Sequence, residues 1–439
     1  MILPLILTAL SLITHLAFFG YPSAVVFDEF YNGSFISAYH TGSFYFDIHP
    51  PLAKLILTFF GYLVDIPYDV DFGAIGNALP PEIILLRILP VIAGIVLPLI
   101  IYFICRQLNM SKVGSFTAGM LMVLENSMIV QSRFILFDST MLLLGFSAIL
   151  LYLIYTKDTK KWHLLIFSAL LAAGAYSIKW TGLAFPLFIT IFEIVRTRKF
   201  LEITKTVLVY GIIGLFFYMS VFAIHFAYLD HSGEGNAFMT DRFQKTLIGS
   251  PYANDASLKP KGFFGKFIEL NLQMYDANKT LTATHMYASK WFTWPLMLKP
   301  VFYWQSAPEA GHYIYLLGNP FIYWLGTLST IFLIFHSIFR KQDRKIALLI
   351  LAGFLVNFTP FIFIGRVMFL YHYEAALIFS IMAIVFLLDQ IKKEKNKIII
   401  SSSIIIISLT TFIYFSPLTY GLYLDDSQLQ SRIWLSSWR

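Results

Sequence analysis

Eleven stretches of this chain are long and apolar enough to be read as membrane spans, and that limits every other inference. They cover residues 2–20, 83–105, 113–131, 134–155, 162–179, 181–195, 206–228, 313–336, 346–364, 369–389 and 398–415. A bilayer core offers no water to free peptide groups, so each stretch is expected to be helical. Charged residues make up only 13% of the chain, against about 25% in soluble domains. The expected fold is therefore an all-α polytopic membrane protein. The first stretch lacks the basic flank of a signal peptide and reads as a retained span. Cys105 is the single cysteine, so no disulfide forms within the chain.

Loop charge sets the orientation. Seventeen of the 32 basic residues fall in five alternate short connections, around Arg106, Lys160, Arg198, Lys341 and Lys393. The other short connections hold one each, Arg133, Lys179 and Arg366. Basic loops stay cytoplasmic, so the N-terminus is read as inside and the net charge of +7 as topological rather than nucleic-acid binding. Two long loops then face outward, residues 21–82 and 229–312. They divide the chain into an N-terminal transmembrane region (1–228) that carries the first loop, the second loop (229–312), and a C-terminal transmembrane region (313–439).

The outward side gathers the unusual residues. Asp28 and Glu29 follow the first span, then Asp47, His49, Pro50, Pro51 and Lys54. Arg87, Arg133, Asp138, Lys179, Arg366 and His372 lie at outer span ends, and His285, Tyr287, Ser289 and Trp291 in the second loop. Ionisable groups at membrane depth are expensive and commonly functional. A carboxylate there can take a proton from a hydroxyl. A cluster of arginine and lysine can hold a phosphate and stabilise the charge it acquires on leaving. The combination suits group transfer from a lipid phosphate to a hydroxyl. Basic residues stand where a metal-dependent transferase needs carboxylates, so no metal is expected. Asp65, Asp69 and Asp71 lack the closing glutamate of a calcium loop and read as a solvated turn. Pro50-Pro51 is expected to fix a turn or end an interfacial helix. Trp291, Trp294 and Trp304 are expected to anchor the second loop at the interface.

The stretch "VVFDEFYNGSFISAYHTGSFYFDIHPPLAKLI" resembles the first outward loop of the protein O-mannosyltransferases, members of the C-type membrane glycosyltransferases. The resemblance continues at "LLRILPVIAG", "ENSMIVQSRFILFDSTMLL", "IKWTGL", "HMYASKWFTWPLML" and "GRVMFLYHYEAAL", in order along nearly the whole chain. It implies a C-type glycosyltransferase fold of about eleven spans. It implies transfer of mannose from a polyprenyl (dolichyl-type) phosphate to serine or threonine of a protein, inverting and without a metal. It implies Asp28 as base with Glu29 beside it, and Arg87 and Arg133 as the family's arginines.

The chain departs from the family where Met286 replaces a proline, where "WFTWP" replaces "WWTWP", and where Phe30-Tyr31 replaces Val-His. The second loop is too short for the MIR domain of eukaryotic members. The resemblance thus implies a compact prokaryotic or archaeal member of the plasma membrane, active on its outer face, with pairing to a second chain a feature of the family. A transferase acting on a lipid or cell-wall glycan is the alternative, and a transporter a weaker one, because neither repeats nor mid-membrane charges stand out.

Overall fold

The structure, a computed structural model, describes residues 2–67, 70–281, 284–307 and 310–439. Each of the eleven apolar stretches contains a helix. Eight are long and apolar enough to cross a membrane: Pro81–Gln107, Asp138–Lys157, Trp180–Thr197, Phe200–Tyr228, Pro320–Phe339, Arg344–Phe363, Leu370–Asp389 and Glu394–Tyr420. The pair Lys112–Val123 and Asn126–Ser132 makes a ninth if taken as one span bent by 57°. Ile2–Leu16 and Trp162–Ile178 are apolar but shorter. The chain is an integral, multi-pass membrane protein. Among the described residues, eight or nine helices meet the criteria for crossing, against the eleven expected.

The bend has a local cause. Glu125 sits at the break, where its carboxylate accepts from the Ser127 amide and hydroxyl, both at 3.0 Å, and from the Asn319 amide at 3.0 Å. Asn319 in turn donates to the freed Leu124 carbonyl at 3.0 Å. Buried side chains thus satisfy the peptide groups that a broken membrane helix exposes. The first helix is held from its flank, with Ser11 Oγ donating to the Ile95 carbonyl at 2.9 Å.

The fold is not wholly α. Residues 313–316, read as the start of a span, form strand β2 (Tyr313–Leu316), which pairs antiparallel with β1 (Val301–Gln305) across a bulge at Phe302 and Trp304. Tyr313 and Tyr315 alternate with the buried Ile314 and Leu316, a period of two that favours a pleated, half-buried surface over a lipid-facing helix. Trp294 and Trp304 are buried rather than set at an interface, because the second loop folds onto the bundle; Trp291 is half-buried.

The two long loops fold together. Helix Glu29–Thr41 ends at Gly42, whose φ of +72° is the left-handed turn that glycine adopts freely. The Phe44 amide then bonds the His231 carbonyl at 2.9 Å, and Asn278 Nδ2 donates to the Ile48 carbonyl at 2.8 Å. A separate apolar cluster of Tyr39, Phe44, Phe222, Phe243 and Leu270 seals this junction. Pro51 starts helix Leu52–Leu63 instead of ending an interfacial helix. Asp71 accepts from the Gly73 amide at 2.6 Å and from Asn77 Nδ2 at 2.9 Å within a turn; Asp69 lies outside the described residues.

Candidate active site

Between helices Ala184–Thr197 and Arg344–Phe358 and beneath the joined loops lies a cavity of about 670 Å³. Its polar wall includes His49, Asp138, Lys179, Asn278, Arg366 and His372. Its apolar wall includes Leu183, Leu187, Val356 and Phe363. Leu183, Leu187 and Phe363 are also strongly exposed, so an apolar rim joins the cavity to the outer surface of the bundle. Five separated segments of the sequence expected at the outer face thus meet around one space.

Lys179 follows helix Trp162–Ile178 in extended backbone and donates to both carboxylate oxygens of Asp138, at 2.8 and 2.7 Å. The Lys179 ammonium also stands 5.2 Å from the Tyr371 ring. Arg366 is held differently. It takes part in no ion pair or hydrogen bond among the described residues, and its Nε–H is buried without an acceptor. An unmatched guanidinium lining a cavity fits an anion supplied from outside.

Asp28 opens helix Glu29–Thr41 and joins none of the ion pairs among the described residues. It interacts electrostatically with Lys179, Asp138, Asp47 and Arg366, which places it beside the polar wall. Burial pushes its carboxyl up to about 6, against the pull of Lys179. An unshifted carboxyl would have sufficed for a base; this one instead titrates close to neutrality. Phe27, just before it, has a φ of +47°, a strained value for a bulky residue. Stacking on Tyr303, with ring centroids 4.2 Å apart and planes at 7°, holds it there. Burial and the cations Lys179, Arg366 and Lys54 drive His49 well below its usual range, so its imidazole is neutral.

The structure sets other candidates apart from the cavity. Arg87 is fully buried, and its five N–H groups go to Glu29, Gly20, Pro22 and Ala24. No donor is left for a phosphate. Glu29 accepts from Arg87 and from the amides of Val26 and Ile135, at 2.9 and 2.8 Å, so its oxygens are committed as well. Arg133 caps the end of the first helix through the carbonyls of Ala17, Phe18 and Tyr21 and stands over the Tyr420 ring. Lys54 pairs with Asp47 and donates to the His49 carbonyl at 3.1 Å, without itself lining the cavity. Ser289 accepts from Trp294 Nε1 at 2.9 Å, and Trp291 packs on Phe358.

His285 and Tyr287 line a second, outer pocket of about 710 Å³ with Phe27, Phe302, Tyr303 and Trp304. Phe27 and Asp28 are consecutive, so the strained turn stands between the outer pocket and the polar wall of the cavity. Asn278, Asn357, Tyr371 and Glu374 also line the cavity, and none of them was named as a site residue from the sequence. Glu374, a carboxylate inside a span, carried a signal by its type alone. Nothing local distinguishes Asn357.

Residues 5–230 match the family described as dolichyl-phosphate-mannose-protein mannosyltransferase. Residues 263–438 match the C-terminal four TMM region of protein-O-mannosyltransferase. Dolichyl-phosphate-mannose–protein mannosyltransferase 4 of Candida albicans is 32% identical over 59% of this chain and 38% of its own length. Protein O-mannosyl-transferase 1 of Danio rerio is 29% identical over 56% of this chain and 37% of its own. The chain thus spans well under half the length of these curated relatives. Both are eukaryotic, so they lend no support to a prokaryotic or archaeal host. In fold, the S. cerevisiae protein O-mannosyltransferase Pmt1-Pmt2 complex bound to the sugar donor is similar with a TM-score of 0.91 at 19% identity, over 100% of this chain and 92% of that one. The Archaeoglobus fulgidus oligosaccharyltransferase is similar at 0.57 and 11%, over 98% of this chain and 57% of that one. The likeness to both establishes the C-type glycosyltransferase fold.

Proposed function

Because the chain belongs to the protein O-mannosyltransferase family, we propose that it moves mannose from a polyprenyl (dolichyl-type) phosphate to serine or threonine hydroxyls of proteins. The observation that carries the reading is the unmatched Arg366 beside Lys179 on a cavity with an apolar rim, with the free carboxyl of Asp28 next to it. The polyprenyl chain lies along the apolar rim, and its phosphate meets Arg366 and Lys179. The acceptor approaches through the outer pocket. Asp28 takes the proton of the acceptor hydroxyl as that oxygen attacks the anomeric carbon. The bond from that carbon to the phosphate oxygen breaks on the opposite face, which inverts the centre. Polyprenyl phosphate leaves with its new charge held by the two cations.

This chemistry needs no metal, because the cations are side chains. The curated relatives carry the names of mannosyltransferases, which supports the sugar and the acceptor class. The Pmt1-Pmt2 complex is a pair of chains, and pairing with a second chain belongs to the same reading. The test uses the full chain in lipid nanodiscs with radiolabelled polyprenyl-phosphate mannose and a Ser/Thr-rich peptide. Wild type is run beside Asp28→Asn, with EDTA in a parallel tube. Label on the peptide from wild type alone, unchanged by EDTA, is the expected result. Donor binding without peptide labelling would move the acceptor to another class, and an absence of donor binding would overturn the reading.

A further inference from the structure

A chain of side-chain hydrogen bonds crosses from the outer pocket to the cavity. Tyr303, on β1, donates its hydroxyl to Gln131 Oε1 at 2.6 Å. Gln131, in helix Asn126–Ser132, donates through Nε2 to Asp138 Oδ2 at 2.7 Å. Asp138, at the start of helix Asp138–Lys157, receives both bonds of Lys179. Tyr303 lines the outer pocket, and Asp138 and Lys179 line the cavity.

The residue types follow from the geometry. An ionised Asp138 accepts only, so the Gln131 NH2 group has to face it. The Gln131 oxygen then faces Tyr303, whose phenol becomes the donor. A glutamine supplies one donor and one acceptor here without charge. A glutamate would set a second carboxylate against Asp138 and compete for Lys179. Gln131 and Tyr303 are buried, so each bond replaces water entirely. Asp138 is thereby held in the one orientation that presents both of its oxygens to Lys179.

We propose that Gln131 and Tyr303 are positioning residues that fix the Lys179 ammonium through Asp138 and so set the affinity for the phosphate of the lipid-linked donor. This rests on the reading that Lys179 meets that phosphate. Neither side chain touches the phosphate itself.

Tyr303→Phe removes one oxygen and keeps the ring stacked on Phe27. In the full chain in nanodiscs it raises the KM for polyprenyl-phosphate mannose about tenfold, the loss expected for a hydrogen bond in a charged network. Gln131→Met, which keeps the volume and loses both bonds, has at least as large an effect. The deciding measurement adds Tyr303→Phe to Lys179→Ala. With Lys179 absent, nothing is left to position, and the second change adds no further rise in donor KM. A merely structural tyrosine would add its full effect in both backgrounds, and that result would overturn the relay. So would an unchanged donor KM in Tyr303→Phe. If Lys179→Ala itself leaves the donor KM unchanged in a protein that transfers mannose, the underlying phosphate assignment falls first, which separates the two failures.

Discussion

Arg87 and Glu29 meet through two hydrogen bonds, 2.8 and 2.7 Å, with neither side chain exposed to solvent. The pair ties the start of helix Glu29–Thr41 to helix Ile88–Gln107 and to the loop carbonyls of residues 20–24. A carboxylate one residue from the proposed base is thus built into the scaffold that holds that base. Removing one partner strands a buried charge. Arg87→Ala or Glu29→Ala is expected to destabilise the fold by about 3–5 kcal/mol. Thermal unfolding in detergent measures it. Variants that melt with wild type yet lose donor binding would return Arg87 to the site.

Asp28 predicts a pH profile with a definite sign. Its carboxyl titrates near 6, and only the ionised form accepts a proton. The base is roughly nine-tenths ionised at pH 7 and one-tenth at pH 5, so kcat/KM should fall about tenfold across that interval. The stability term runs the other way. Burial raises the folded-state value above the unfolded one, so the stabilising protonated form is fully present at low pH and lost as pH rises through 6. Asp28→Asn should therefore lose about 10²- to 10⁴-fold in rate while melting no lower than wild type at pH 7. A rate flat between pH 5 and 7 would remove Asp28 from the base role.

Arg366 is the counterpart of Arg87, a guanidinium without protein partners among the described residues. Its removal leaves no orphaned carboxylate. Arg366→Ala is expected to weaken donor binding about 10- to 100-fold, the range for hydrogen bonds to a charged group. Its melting temperature should not fall. Titration of the purified protein with polyprenyl-phosphate mannose, beside a thermal melt, checks both halves. A lower melting temperature with donor affinity intact would mark Arg366 as structural.

Apolar length was enough to find a helix in each of the eleven stretches, because a bilayer imposes one backbone solution, but not the loop helices Glu29–Thr41 and Leu52–Leu63. The break at Glu125 escaped it, since the groups that satisfy the break come from residue 319, far along the chain. Charge type located the outer cluster and the family motifs named Asp28. Neither separated Arg366 from Arg87 or Arg133, because a free and a sequestered guanidinium differ only in their three-dimensional acceptors. Gln131 and Tyr303 were silent for the same reason. Each is an ordinary residue whose role exists only once a hairpin and a broken helix are brought together. Trp294 and Trp304 follow the aromatic-belt expectation in composition and depart from it in burial, because the folded second loop gives them a core to enter.

Gly182 links packing to the site. The turn Trp180–Leu183 reverses the chain directly after Lys179, with the Gly182 amide bonded to the Lys179 carbonyl at 2.9 Å. A Cβ on Gly182 would lie 2.5 Å from the Ala175 carbonyl carbon and 2.6 Å from the Tyr176 nitrogen. Both are backbone atoms of the preceding helix and cannot rotate away. Gly182→Ala must therefore push the turn off the helix end, at a cost of about 1–3 kcal/mol for overpacking. The same displacement moves Lys179 relative to Asp138. The variant should melt lower and also show a raised donor KM, with the acceptor KM unchanged. A wild-type donor KM in a protein that melts lower would mean that the turn yields without moving Lys179, and an unchanged melt would mean that the contact relaxes elsewhere.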